Sequence, residues 1–104
     1  MVVSAQGIDA SGFQPPLTSQ TLSGLSFAFC KASDGLSIID PCLSWNWQAI
    51  KSAGQVRRAY HELAPVVSAV EQASFFVNTV HPHGVEPGDM FAIAAGTAPG
   101  SPAR

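Results

Sequence analysis

Four stretches with strand character alternate with two of helical period, and that order leaves few folds open. LSFAFCKA (25–32) and VRRAYHEL (56–63) are rich in aromatic, β-branched and small apolar residues, and VVSAQGID (2–9) and MFAIAA (90–95) are shorter runs of the same kind. Residues 41–53 read as a helix: Pro41 suits its first turn, Leu43, Trp47, Ile50 and Ala53 form one stripe, and Gly54 stops it. A second helix is expected from Pro65, with Val66, Val70, Ala73, Val77 and Val80 at helical spacing and His81-Pro82-His83-Gly84 at its end. Residues 10–24 carry Gly, Pro, Ser and Thr and read as loop with one helical turn, and residues 33–40 as turn and loop. Alternation in the second strand puts Phe27, Phe29 and Lys31 on one face and Ala28, Cys30 and Ala32 on the other.

The order β, loop, β, α, β, α, β predicts an α/β fold with a parallel sheet and crossover helices. About four parallel strands and two main helices are too few to close a barrel of eight. The sheet is therefore either small and open or part of something larger.

With 104 residues the chain makes one small domain. Apolar residues make up 46% and charged residues 12%, which favours buried strands over disorder. The net charge of −2 and scattered cations present no basic face for nucleic acid. No apolar run has the length of a membrane span. Met1-Val2-Val3 is followed at once by polar Ser4 and Gln6, so no secretory leader is visible.

Cys30 and Cys42 are too few for a disulfide framework and are expected as two small, buried thiols. No CxxC or HExxH occurs, and His81 and His83 read as solvated loop residues, so neither metal nor cofactor is expected.

Four segments taken together resemble glycoside hydrolase family 25, the lysozymes that cleave bacterial cell-wall glycan. GIDASGFQ (7–14) stands where that family has Gly-Ile-Asp-Val-Ser before a Gln. FAFCKASDG (27–35) is similar to its Phe-Val-Lys-Ala-Thr-Glu-Gly strand. DPCLSWNWQAIKSAG (40–54) follows its Asp, Asn-Trp and helix ending in Ala-Gly, and RAYHEL (58–63) its Gly-Ala-Tyr-His-Phe. The resemblance runs from residue 7 to about 90 and covers the N-terminal half of an irregular β/α barrel. It implies an open half-barrel over residues 1–96 and peptidoglycan glycan strands as the partner, while residues 97–104, rich in Ala, Gly and Pro, read by composition as a loose tail. Family members act outside the cell or on the wall.

The resemblance further implies that Asp9 is an active-site acid, that Tyr60 lines the substrate groove, and that Lys31 matches a strand-end lysine. The residues by themselves agree for Asp9, a lone acid at a strand end followed by small residues, although Asp also caps loops there. By themselves, Tyr60 reads equally as a core residue with its hydroxyl at the rim, and Lys31 as a solvated strand end. Trp45 and Trp47, two apart on a helix, face different sides; Trp47 belongs to the core and Trp45 to a surface.

The same family carries an Asp-x-Glu pair after a Pro-Gly-Asp turn. The turn is present in EPGDM (86–90), but a gap-free count puts Ala95 and Thr97 in the pair's places, and neither titrates as a carboxyl does. The expectation is a shortened, inactive lysozyme, against a non-catalytic wall-binding module or the product of a broken gene. Asp9 and Glu62 are the remaining acids at strand ends, with backbones expected roughly 10 Å apart if their strands are level. Arg58, Tyr60 and Glu62 share a face, so Arg58 and Glu62 are placed to pair. Exposed strand edges predict a homodimer or an aggregation-prone monomer.

Overall fold

The computed structural model describes residues 7–12 and 14–95. Its elements are β1 (Gly7–Ala10), α1 (Ser19–Leu22), β2 (Phe27–Asp34), β3 (Ile38–Ile39), α2 (Leu43–Ser52), β4 (Val56–Leu63), α3 (Ala69–Val80), a 3-10 turn (His81–His83) and β5 (Met90–Ala95). Four strands are parallel in the order β1-β2-β4-β5, and β3 runs antiparallel to the end of β2. This is the expected open arc of parallel strands. Residues 2–6 of the first predicted strand and the tail over 97–104 lie outside the described residues.

The core lies between the sheet and its helices. Ala28, Cys30 and Ala32 of β2 and Ala59 of β4 are buried, and so are Leu43, Trp47 and Ile50 of α2 and Phe76 and Val80 of α3. Small strand residues let the helices approach the sheet closely enough to accommodate the Trp47 indole. Both cysteines are free thiols, Cys30 buried and Cys42 half-buried.

Three expectations change. The stretch 33–40 is not all loop, because β2 runs on to Asp34 and folds back as β3. Gly35 makes that reversal with φ at 58°, a conformation costly for other residues. The second helix begins at Ala69, not Pro65, since the Ser68 hydroxyl caps it by accepting from the Glu71 N–H at 3.3 Å. Of its expected stripe only Val80 is buried. Val66, Val70 and Val77 are exposed, whereas Gln72, Phe76, Thr79 and Val80 face the sheet. A buried glutamine hides this face from any reading by hydrophobic period, and its partners explain why it is there. Gln72 Oε1 accepts from the Ala64 N–H at 2.8 Å and from His61 Nε2 at 2.9 Å, while its Nε2 donates to the carbonyls of Ala64 and Val67. His61 therefore donates from Nε2, and its Nδ1 is hydrogen-bonded to the Ser33 hydroxyl at 2.8 Å.

Several residues of the sequence motifs prove to be fasteners. Asp40 is buried and accepts from the Gly12 N–H at 2.8 Å and the Cys42 N–H at 2.9 Å, tying the segment after β1 to the start of α2. Asn46 Oδ1 and the Trp45 indole N–H hold the backbone of Leu17. In the EPGD turn, Gly88 takes φ at 96° and Asp89 forks onto the Arg57 guanidinium at 3.0 and 2.5 Å. Arg57 lies 3.9 Å over the Trp47 ring, and Trp47 Nε1 donates to the Gly84 carbonyl at 2.7 Å.

Candidate active site

The sheet's other face is the open one. Alternation and register bring Phe27, Phe29 and Lys31 of β2 onto it beside Arg58, Tyr60 and Glu62 of β4. Asp9 pairs with Phe29, and Tyr60 with Lys31 on one side and Ala92 on the other. A cavity of about 570 Å³ opens over the carboxyl ends of the strands, lined by Asp9, Phe29, Tyr60, Glu62 and the β5 residues Ala92 to Ala95. Two of the three proposed site residues, Asp9 and Tyr60, thus share one cavity.

Lys31 is not among the residues lining that cavity. It is not the solvated strand end expected either: its side chain is 13% exposed and pairs with Asp34 at 3.2 Å. Residues three apart on a regular strand point to opposite faces. Here a bulge makes the pair feasible: the register with β4 slips between Lys31 and Ser33, turning Asp34 onto the face of Lys31 and Ser33 toward His61. A bulge leaves no mark in composition or alternation.

Arg58 does not pair with Glu62 among the described residues; it sits over the rings of Phe27 and Phe29, 4.7 and 5.2 Å from their centres. The faces of two aromatic rings give that charge a favourable place. Phe29 was not singled out as a site residue by sequence, although alternation puts it on the open face with Lys31; its level with Asp9 comes from register.

Burial pushes the Tyr60 phenol up from 10.0 to about 12, and the negative charges of Asp9 and then Glu62 push the same way. The folded phenol keeps its proton to higher pH than the unfolded one. Its contribution to stability is therefore complete below about pH 10 and lost as pH rises through about 12. Tyr60 is the chain's single tyrosine, which makes the expectation easy to read. The near-ultraviolet tyrosinate signal should titrate near 12 in the native protein and near 10 in denaturant, with Asp9→Asn lowering the native value. Equal midpoints in both states would contradict the placement of Tyr60.

Register also separates the two remaining acids. Asp9 is level with Arg58, four residues before Glu62, so their Cα atoms lie roughly 16 Å apart along the sheet, at about 3.3 Å per residue and 4.8 Å per strand. The smaller separation expected from sequence assumed level strand ends. On β5, Ala92 and Ala94 pair with Tyr60 and Glu62 and alternate onto the cavity side, which makes Ala94, rather than Ala95, the inward position. Thr97 lies outside the described residues. Trp45 is 61% exposed, spends its indole N–H on Leu17, and is not among the residues lining the cavity.

Among the described residues, no group of three or more His, Cys, Asp or Glu side chains is placed to hold a metal, and no helix is long and apolar enough to cross a membrane.

The model of glycosyl hydrolases family 25 matches residues 6–95. The chain belongs to that family. It is 41% identical over 81 residues to the Escherichia coli K12 protein named Uncharacterized protein YegX, covering 71% of this chain and 30% of that one. It is 37% identical over 76 residues to Lysozyme M1 of Streptomyces globisporus, covering 70% of this chain and 26% of that one. Among solved structures, the lysozyme of Streptomyces coelicolor superposes with a TM-score of 0.80 at 26% identity, over 99% of this chain and 49% of its own. A family 25 glycosyl hydrolase of Bacillus anthracis gives 0.82 at 22% identity, over 91% and 44%, which bears on the fold alone. This family 25 chain thus spans about half of the solved domains it matches and under a third of the curated relatives.

Proposed function

We propose that this family 25 chain engages the glycan of bacterial peptidoglycan in the Asp9–Tyr60 cavity and does not hydrolyse it. One observation carries this reading: Asp9 and Tyr60 line the cavity, while β5 offers it only Ala92, Ile93, Ala94 and Ala95. Glycosidases use two carboxyl groups, one to protonate the leaving oxygen and one to stabilise or attack the anomeric carbon or activate water. Neither reading of the strand, inward at Ala94 or gap-free at Ala95, provides the family's first acid, and without a proton donor the leaving group must depart as an alkoxide.

The parts that remain suit binding. Asp9 accepts hydrogen bonds from sugar hydroxyls, the Tyr60 phenol stays neutral and donates, and Phe29 offers an apolar face for the sugar ring. Lys31, matched to a family lysine and ion-paired to Asp34, is assigned the support of the layer that carries Tyr60. The test is retention on insoluble peptidoglycan. The folded chain should sediment with the wall, and Asp9→Ala or Tyr60→Ala should weaken retention by about tenfold, equivalent to about 1.4 kcal/mol. Absence of retention with an intact circular dichroism spectrum would overturn the reading.

Glu62 is the one acid that offers a second reading. If Asp9 and Glu62 acted together their carboxyls would need to come within about 6.5–9.5 Å, as in inverting enzymes. The offset register argues against this.

A further inference from the structure

We propose that Asp40 is a positioning residue of the candidate glycan site: its carboxylate holds the turn that follows Asp9 and so fixes where the Asp9 side chain stands. This role rests on the glycan reading of the cavity, and part of its test needs no glycan.

The edges of β2 show where Asp40 acts. β4 pairs with one edge of β2 from Phe27 to Asp34. The other edge is shared by two strands, β1 against residues 27–30 and β3 against residues 33–34. Asp40 stands at the gap between them. Its backbone N–H donates to the Ala32 carbonyl at 2.9 Å. Its Oδ2 accepts from the Gly12 N–H at 2.8 Å and its Oδ1 from the Cys42 N–H at 2.9 Å. One residue thereby joins the segment after β1 to β2 and to the start of α2.

Asp9 depends on that anchor. Among the described residues no hydrogen bond reaches the Asp9 side chain, so its place follows from its backbone. That backbone leaves the sheet after Ala10, and the Gly12 N–H ties it to Asp40 three residues beyond Asp9. Ala10, Ser11 and Asp40 are all buried, which keeps water from competing for the bond. The approach is close: a Cβ on Gly12 would stand 2.7 Å from Pro41 Cγ and 2.9 Å from its Cδ.

The charge of Asp40 also reaches the other half of the site. Burial, and after it Asp40, push the Cys30 thiol up from 9.0 to about 12. Asp40 acts in the same direction on the Tyr60 phenol, after burial, Asp9 and Glu62. The carboxylate that anchors the Asp9 segment thus lies within electrostatic reach of Tyr60.

Retention on insoluble peptidoglycan is the first arm of the test. Asp40→Ala removes both carboxylate bonds, and Gly12→Ala displaces the same turn with Asp40 intact, so the anchor is read even if Asp40→Ala does not fold. Each should weaken retention about fivefold, the size of one hydrogen bond's net contribution. That is less than for Asp9→Ala, because β1 still pairs with β2. Asn46→Ala removes a comparable buried fastener, the acceptor of the Leu17 N–H, from a later part of the same segment. It should lower stability and leave the retention of the folded chain unchanged. Unchanged retention of the two turn variants, or an equal loss in Asn46→Ala, would overturn the proposal.

The second arm uses the tyrosinate signal alone. Asp9→Asn should lower the native Tyr60 midpoint less in the Asp40→Ala or Gly12→Ala background than in the native chain, since the turn no longer holds Asp9 in place. Equal effects in both backgrounds would overturn the role of Asp40. If the native chain is not retained on peptidoglycan, the glycan reading fails and the titration by itself decides whether Asp40 positions Asp9.

Discussion

Replacing Asp89 by alanine should cost this domain about 3–5 kcal/mol, the range found when one partner of a buried ion pair is removed. Domains of this size are stable by only about 5–15 kcal/mol, so much of the margin would go. The reason is where the pair sits. The Arg57 and Asp89 side chains are 3 and 9% exposed and joined by two hydrogen bonds. Arg57 also donates to the carbonyls of Trp47 and Gly84 at 3.3 Å. Without Asp89 a guanidinium stays buried without its counter-charge, and the turn that launches β5 loses its anchor, since Asp89 Oδ2 also accepts from the Glu86 N–H at 2.8 Å. Asp89→Asn, which keeps an acceptor, should cost less. The exposed Lys51–Glu86 pair is the control: Lys51→Ala should cost no more than about 1 kcal/mol. Urea unfolding of the three variants measures this. Equal effects for Asp89→Ala and Lys51→Ala would refute the assignment.

Gln72→Ala is expected to cost about 2–4 kcal/mol, although the substituted residue is polar and lies on a helix. Its amide satisfies His61 Nε2 and the backbone of Ala64 at once, all buried or half-buried, and removal strands each of them in the core at about 1–3 kcal/mol per group. The hole also takes support from Phe76, which stacks on His61 at 5.5 Å. Val70→Ala on the same helix makes the comparison: that side chain is 78% exposed and its truncation should change stability by less than about 0.5 kcal/mol. The valine-stripe reading predicts the reverse order, so chemical denaturation of the two variants decides between them.

Those two predictions mark where sequence stopped being sufficient. The α2 stripe of Leu43, Trp47 and Ile50 is buried as its spacing requires, with Ala53 at the exposed cap. Apolar residues were the inward ones there, so period and burial agree. In α3 the inward face is built around Gln72, and its neighbours in the network come from β2, β4 and the connection after β4. Such a network depends on three-dimensional partners that no local window contains. The strands β4 and β5 fall where alternation puts them, whereas β2 begins and ends two residues later than expected, its end pairing with the two residues of β3 across a glycine turn.

The site divides in the same way. Asp9 at a strand end, and Tyr60 two residues from Glu62, were legible because strand ends and two-residue alternation are local properties. Heights were not. The offset of Glu62 from Asp9, the inward position at Ala94 and the burial of Lys31 all follow from register and from one bulge, which only the paired strands define.

A family 25 fold is present here, and we propose that it stands without the family's chemistry. The direct measurement is the turbidity of a purified bacterial cell-wall suspension incubated with the folded chain. The account predicts clearing no faster than buffer, for the native chain and for Glu62→Gln alike. Clearing by the native chain above the buffer rate, abolished by Glu62→Gln, would contradict it and assign the missing carboxyl to Glu62.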